Sequence, residues 1–153
     1  MIVAVTLYQV MEALHVIAVL AAFGAPFAYV FLLPMVRRAE PVHRAWFHGL
    51  QANIGKFVIS PGLVFILGFG AYLASKEHVW SKAWVTVPLL VLIALGGMGP
   101  TYFKTREEKL AELARSGDES GYQALFSQVY AVTCVSVLSI CVAIYFMTVK
   151  PFA

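Results

Sequence analysis

Charged side chains are scarce in this sequence, and that scarcity excludes a soluble fold. Only 12% of the 153 residues are charged, whereas 61% are hydrophobic. An ordinary soluble domain has about 25% charged and roughly 45–50% apolar residues. The polar residues also form no block long enough for a separate soluble domain, so we expect one domain over residues 1–153.

Cysteine is rare as well, and the two that occur do not form a recognisable site. Cys134 and Cys141 are seven residues apart, about 10 Å along one helix face, which is too far for a disulfide. Neither has partners at a metal-binding spacing. We interpret both as packing residues that carry no information about redox compartment.

Long apolar blocks dominate what remains. Four of them reach the roughly 20 residues that a helix needs to cross a hydrocarbon core of about 30 Å, at residues 7–33, 54–74, 83–103 and 124–148. They are continuous rather than alternating, which favours helices over barrel strands. No Lys or Arg precedes the first block, and it is longer than a signal-peptide core, so we expect it to be retained. The sequence predicts an all-α fold, an antiparallel bundle of four transmembrane helices.

The basic residues are distributed unevenly between the two sides of this bundle. One side carries 8 of the 11 Lys and Arg residues, namely Arg37, Arg38, Arg44, Lys56, Lys104, Arg106, Lys109 and Arg115. By the positive-inside rule this side is cytoplasmic. The loops at residues 35–53 and 104–121 are then cytoplasmic, and both termini lie outside. The expected partner is the lipid bilayer, not nucleic acid.

The connection before the fourth block has helical character of its own. Residues 104–116 read as a helical extension of the third span, Gly117 as its stop, and Asp118 or Ser120 as the cap of the next helix. In the other cytoplasmic loop, His43 and His48 have no Cys, Asp or Glu at metal spacing. We interpret both histidines as surface residues.

Ionisable residues deep in a span are costly and usually face the bundle interior. Glu12 and His15 stand three residues apart in the first block, on one face of a helix. Glu12 is close enough to the outer surface to be solvated. Three interpretations of His15 remain open: a hydrogen-bonded structural residue, a contact to a cofactor or substrate, and proton transfer.

Helix breakers interrupt the first three blocks in the half nearer the basic loops. They are Gly24-Ala25-Pro26, Ser60-Pro61-Gly62 and residues 96–100 (Gly-Gly-Met-Gly-Pro). Such residues permit either close packing of neighbouring helices or a polar cavity. Lys56, within two turns of Pro61, would guard such a cavity or extend to the interface.

No catalytic motif is recognisable. The chain has no phosphate-binding glycine loop, triad or paired carboxylate site, and no second histidine at the depth of His15. We therefore expect an accessory or partner-binding membrane protein without a self-contained catalytic site, whose partner is another membrane protein or a second copy of the chain.

Several short motifs resemble a known superfamily. They are residues 12–19 with Gly24 in the first helix, Lys56, Pro61, Gly70, Tyr72 and Leu73 in the second, residues 80–82 opening the third, and residues 149–152 at the tail. Together they resemble the small four-helix bacterial membrane proteins that include HemJ-type protoporphyrinogen oxidases and the CopD copper-resistance domain. The resemblance covers nearly the whole chain.

This resemblance implies a haem- or porphyrin-handling alternative. It implies haem b as cofactor, His15 as its ligand, Glu12 beside it, and Lys56 near the propionates or the substrate. HemJ proteins carry a histidine and a basic cluster late in the third helix, where this chain has residues 95–100 (Leu-Gly-Gly-Met-Gly-Pro). The match is therefore closest to the superfamily's uncharacterised branch.

Overall fold

The computed structural model describes residues 5–151, and every regular element in that range is helical. In chain order the helices are α1 (Leu7–Val36), α2 (Pro41–Ile54), α3 (Ser60–Lys76), α4 (Ala83–Met98), α5 (Lys104–Ser116) and α6 (Glu119–Val149). A π-helical turn at Gly55–Ile59 joins α2 to α3, and a second at Gly99–Phe103 joins α4 to α5.

These elements form four long, apolar helices that have the length and composition to cross a membrane. They are Leu7–Val36, Pro41–Lys76, Ala83–Ser116 and Glu119–Val149. The predictions of an all-α fold and of four such helices are confirmed. Within the helical bundle α1 packs along α3, α4 along α6, and α2 against α5.

The segment at residues 35–53, which the sequence predicts to be a loop, contains α2. Pro41 starts this helix, a position where its missing N–H costs nothing. Its buried residues, Ala45, His48 and Gln51, recur every three positions and therefore share one face. That face is covered by its neighbours, so α2 is a docked helix rather than a connection.

The predicted breakers act differently in different helices. Pro61 and Pro100 cannot donate a backbone hydrogen bond. Pro100 lies within the second π-helical turn, and Pro61 lies two residues after the end of the first. The Ser60 hydroxyl donates to the Gly55 carbonyl at 2.8 Å, across the first turn. By contrast, α1 continues without a break through Pro26 and Pro34. The expectation that the first span is interrupted is therefore wrong.

The junction between α5 and α6 follows its predicted chemistry. Gly117 ends α5 in the left-handed conformation, with φ of 74°, which only glycine adopts without strain. Asp118 caps α6, because its Oδ1 accepts the Gly121 N–H at 2.9 Å. The same hydrogen bond holds the pKa of the Asp118 carboxyl below its usual value.

On α6, Cys134 and Cys141 are free thiols as expected, but Cys141 is exposed rather than packed.

The core is divided between the two ends of the bundle. At the end where α2 and α5 dock, here called the capped end, a cluster forms from Tyr29, Leu33, Ala45, Leu110, Ala114, Tyr122, Phe126 and Val129. Towards the other end, here called the open end, the buried cluster is only Ala18, Ala22 and Ile66. Between them Gly62 lies so close to Ala22 that an added Cβ would be 2.9 Å from the Ala22 Cβ.

Candidate ligand cavities

Two cavities lie between the helices, and each contains one residue that stands out chemically. The His15 cavity, at the open end, has a volume of about 390 Å³. The Glu107 cavity, next to the capped end, has a volume of about 260 Å³. Phe23 and Ile140 line both and form the wall between them.

His15 is held on α1 against a glycine of α3. A Cβ added to Gly70 would lie 3.0 Å from His15 Cε1, so the glycine is what leaves room for the imidazole ring. His15 Nδ1 is buried and has no hydrogen-bond partner among the described residues. A buried polar atom without a partner is uncommon and costs free energy. The backbone of Ile66 on α3 also interacts with the ring, so a structural His15 and a ligand-binding His15 are both consistent with this geometry.

The rest of the His15 cavity is almost entirely apolar. Its lining residues come from α1, α3, α4, α6 and the α3–α4 connection, and none of them is Lys, Arg, Asp or Glu. Two other side chains could interact specifically with a ligand: the indole of Trp80 and the thioether of Met147. The cavity can therefore enclose an apolar molecule and offer it one imidazole and one sulfur.

The structure does not bring the other two predicted site residues to His15. Glu12 is exposed and lines neither cavity. Lys56 lines the Glu107 cavity together with Tyr29, and Tyr29 follows His15 on α1 by nearly four turns, about 20 Å. A single ligand centred on His15 would have to span that distance to reach Lys56.

Glu107 is the residue that sequence reasoning missed. It lies on α5, beyond the apolar part of that long helix, and is only 6% exposed. Its carboxyl has no hydrogen bond or ion pair to any other residue between 5 and 151. Burial raises the pKa of Glu107 to about 8, and the neighbouring Glu108 adds to the effect. At neutral pH the carboxyl is therefore mostly protonated, so it can donate a hydrogen bond.

Several other polar groups line the same cavity. The Tyr29 hydroxyl is buried and has no partner in the described part of the chain. Lys56 and Lys104 are both exposed, and the Lys56 ammonium lies 5.0 Å from the exposed Phe57 ring. These lysines therefore place positive charge at the rim rather than deep in the cavity. Pro100 and both π-helical turns also contribute to the wall.

A buried hydrogen-bonded network supports this cavity from the capped end. Gln51 lines the cavity, and its Oε1 lies 2.9 Å from His48 Nδ1. His48 Nε2 lies 3.0 Å from the Tyr122 hydroxyl. His48 is fully buried, so its interpretation as a surface residue is wrong. The three-residue spacing of Ala45, His48 and Gln51 is the signal that could have identified this buried face.

Neither cavity shows the composition of a metal centre. No group of three or more His, Cys, Asp or Glu residues is placed to hold a metal ion anywhere in residues 5–151.

Comparisons of the chain with models of known families, with curated proteins and with solved structures found no match. The tail motif at residues 149–152 includes Phe152, which lies outside the described residues.

Proposed function

We propose that the apolar parts of the four long helices form an antiparallel transmembrane bundle with both termini outside, and that residues 35–53 and 104–121, which contain most of α2 and all of α5, lie in the cytoplasm. Two contacts support the antiparallel arrangement, since His15 lies beside Gly70 while Ala22, further along α1, lies beside the earlier Gly62. The distribution of Lys and Arg supports the orientation. If a cysteine at position 38, in a chain without Cys134 and Cys141, reacts with an impermeant thiol reagent outside intact cells, the orientation is wrong.

Within this bundle, we propose that the chain is an accessory protein that holds an apolar ligand in the His15 cavity. The observation that carries the proposal is the buried, unpartnered Nδ1 of His15 in a cavity with no charged lining residue. An unsatisfied imidazole facing enclosed apolar space is suited to bind a ligand atom or a ligand's metal.

Haem b is the ligand that we propose first, and the residues of the cavity partly define how it would fit. His15 would hold the haem through its imidazole, and Met147, which lines the same cavity, would offer a thioether. Bound haem would supply one-electron chemistry. No cationic residue lines this cavity, so the cavity itself offers no partner for the propionates. The resemblance to HemJ- and CopD-type proteins is the reason for proposing haem. Of the two residues, we propose His15 as the haem ligand and give Lys56 no role in haem binding.

An absorption spectrum of the purified protein tests this proposal. After expression with ample haem supply, we expect a Soret band that is lost in His15→Ala and shifted in Met147→Leu. His43→Ala is the matched control, because His43 is exposed, and its spectrum should equal that of the wild type. A colourless wild-type preparation would refute haem binding.

A second candidate function, partner binding in the membrane, is favoured by the surface of α4. No residue of this helix is buried, and Leu90 and Ile93 are 65% and 59% exposed. We propose that this face packs on lipid in the monomer and on a membrane-protein partner or a second copy in an assembly. Leu90→Cys, in a chain without the two native cysteines, should form a disulfide-linked dimer in membranes if the partner is a second copy. Leu92→Cys, which packs against the buried Ala18, Ala22 and Ile66 cluster on the opposite side of the same helix, is the control and should not cross-link.

A further inference from the structure

The haem proposal does not use the Glu107 cavity. We propose that this cavity binds an amphipathic anion, an apolar chain that ends in an anionic head group of acceptor oxygens, as in a long-chain fatty acid. This inference is independent of the function proposed for the His15 cavity. It rests on three features of the Glu107 cavity: its buried donors, the charge at its rim and its apolar walls.

The buried donors define what the ligand must offer. Tyr29 and Glu107 are each more than nine-tenths buried and line the cavity. The Tyr29 hydroxyl is fully buried and has no partner in the described part of the chain, whereas the Glu107 carboxyl oxygens face the accessible space of the cavity. A phenol and a protonated carboxyl both donate an O–H. A head group that only accepts hydrogen bonds would satisfy both, and bonds to a charged acceptor are the stronger kind.

The positive charge at the rim of the cavity favours a ligand with a negatively charged head group. Lys56 and Lys104 line the cavity and remain exposed, so a head group near the opening meets two ammonium groups. These lysines disfavour an organic cation, which a buried carboxyl alone would attract. Glu107 is the only acidic lining residue.

The walls account for the apolar part of the ligand. Phe23, Leu63, Leu95, Phe103 and Ile140 surround the space beside the polar groups. Its volume of about 260 Å³ exceeds that of an engineered apolar cavity of about 150 Å³ that binds benzene. Because Phe23 and Ile140 also border the His15 cavity, a longer chain has an apolar surface along which to continue.

The protonation of Glu107 makes binding depend on pH. The groups facing it are Tyr29 from α1, Lys56 from the first π-helical turn, Gln51 from α2, Thr133 and Ser136 from α6, and Lys104 on its own helix. Of these only the tyrosine and the two lysines carry titratable groups, and side chains of these two types ionise near pH 10 in model peptides. Between pH 6.5 and pH 9 the principal change is therefore ionisation of Glu107, which replaces a donor by a negative charge.

The experiment measures binding of a spin-labelled alkyl sulfonate to the purified protein in nanodiscs at pH 6.5 and pH 9. The sulfonate keeps its charge over this range, so a change in affinity reports on the protein. We expect binding at pH 6.5 that is roughly tenfold weaker at pH 9, since about nine-tenths of a carboxyl titrating near pH 8 is then ionised. A spin-labelled fatty acid should compete for the same site at pH 6.5.

Single-residue variants distinguish binding in the Glu107 cavity from non-specific binding to the protein surface. In Glu107→Gln, which keeps an N–H donor, binding should persist and lose its pH dependence. In Glu108→Gln, a change at the exposed neighbour, binding and its pH dependence should remain, with the transition moved to a slightly lower pH because Glu108 no longer raises the pKa of Glu107. Tyr29→Phe and Lys104→Gln should each weaken binding several-fold, which keeps the test decisive if Glu107→Gln does not fold. His15→Ala should leave it unchanged whether or not haem is bound.

Three results would overturn the proposal. The first is no saturable binding of the sulfonate or the fatty acid. The second is equal binding of the fatty acid's methyl ester, which would remove the role of charge. The third is preferential binding of a spin-labelled alkyl trimethylammonium that strengthens from pH 6.5 to pH 9, which would identify a site for organic cations instead.

Discussion

The two ends of this bundle are stabilised by different kinds of interaction. At the capped end, α2 and α5 add a core of aromatic and aliphatic side chains like that of a soluble domain, with His48, Gln51 and Glu107 buried among them. At the open end the buried cluster is small, and helices approach through Gly62 and Gly70. Composition alone places the helices, whereas the side-chain hydrogen bonds that join distant segments of residues 5–151 lie towards the capped end.

This difference should appear in how each end responds to substitution. The capped end depends on buried hydrogen bonds, such as that between His48 and Tyr122 at 3.0 Å. The open end depends on close packing, since a methyl group on Gly62 has no space. Removing a hydrogen-bond partner should therefore be most costly at one end, and adding volume at the other.

The largest expected effect is that of His48→Ala. The change removes both hydrogen bonds of a fully buried ring and leaves a cavity, which should lower the free energy of unfolding by about 2–4 kcal/mol. The measurement is denaturant unfolding of the protein in detergent. His43→Ala, at an exposed position of the same helix, should change stability by less than about 0.5 kcal/mol. If the two variants behave alike, the capped end is not held together as described.

Gly62→Ala should have the next largest effect. Its new Cβ would meet Ala22 Cβ at 2.9 Å, and relieving such overpacking costs about 1–3 kcal/mol. Gly68→Ala, in the same helix with nothing within 4 Å of the added Cβ, is the control. It should be neutral or slightly stabilising, because alanine favours a helix over glycine by about 1 kcal/mol. Comparable thermal midpoints for the two variants would show that the α1–α3 seam tolerates added volume.

Much of this architecture is predictable from the sequence. The apolar blocks indicate the four long helices, because few other structures satisfy so continuous a hydrophobic pattern. The end of α5 at Gly117 and the cap at Asp118 follow from local chemistry, which depends on neighbouring residues alone. His15 is identifiable as unusual because any ionisable residue within an apolar span is unusual.

The burial of Glu107 and His48 was not predicted, because it arises from contacts between segments distant in sequence. Both lie in polar, amphipathic stretches where solvent exposure is the ordinary outcome. Glu107 does share a helix face with Leu110, Ala111 and Ala114, all buried, and that periodicity is a usable signal. It places Glu107 on the inner face but does not reveal the cavity, whose walls come from all six helices and both π-helical turns.

Raising the pH should destabilise the protein through Glu107, which lies next to the capped end, and this effect should be no larger than those of the substitutions above. The pKa of Glu107 is raised to about 8, so its protonated form is favoured in the folded state and this contribution is lost as pH rises through 8. The loss begins near the ordinary glutamate pKa of 4.5, and between pH 6 and pH 8 it should lower the free energy of unfolding by about 2 kcal/mol in the wild type. In Glu107→Gln this fall should disappear, whereas Glu108→Gln should retain it. A pH-independent wild type would mean that Glu107 is solvated.

The smallest effect expected is on ligand affinity, from Gly70→Ala at the open end. The added Cβ would lie 3.0 Å from His15 Cε1, so the ring must tilt, and we expect haem affinity to fall roughly fivefold, or about 1 kcal/mol. A ring facing a cavity can yield, so the thermal midpoint should change by less than about 2 °C. Gly68→Ala should alter neither quantity appreciably. Loss of stability without loss of haem affinity would mean that Gly70 only allows α1 and α3 to pack closely. The two ends would then differ in how they are packed but not in ligand binding.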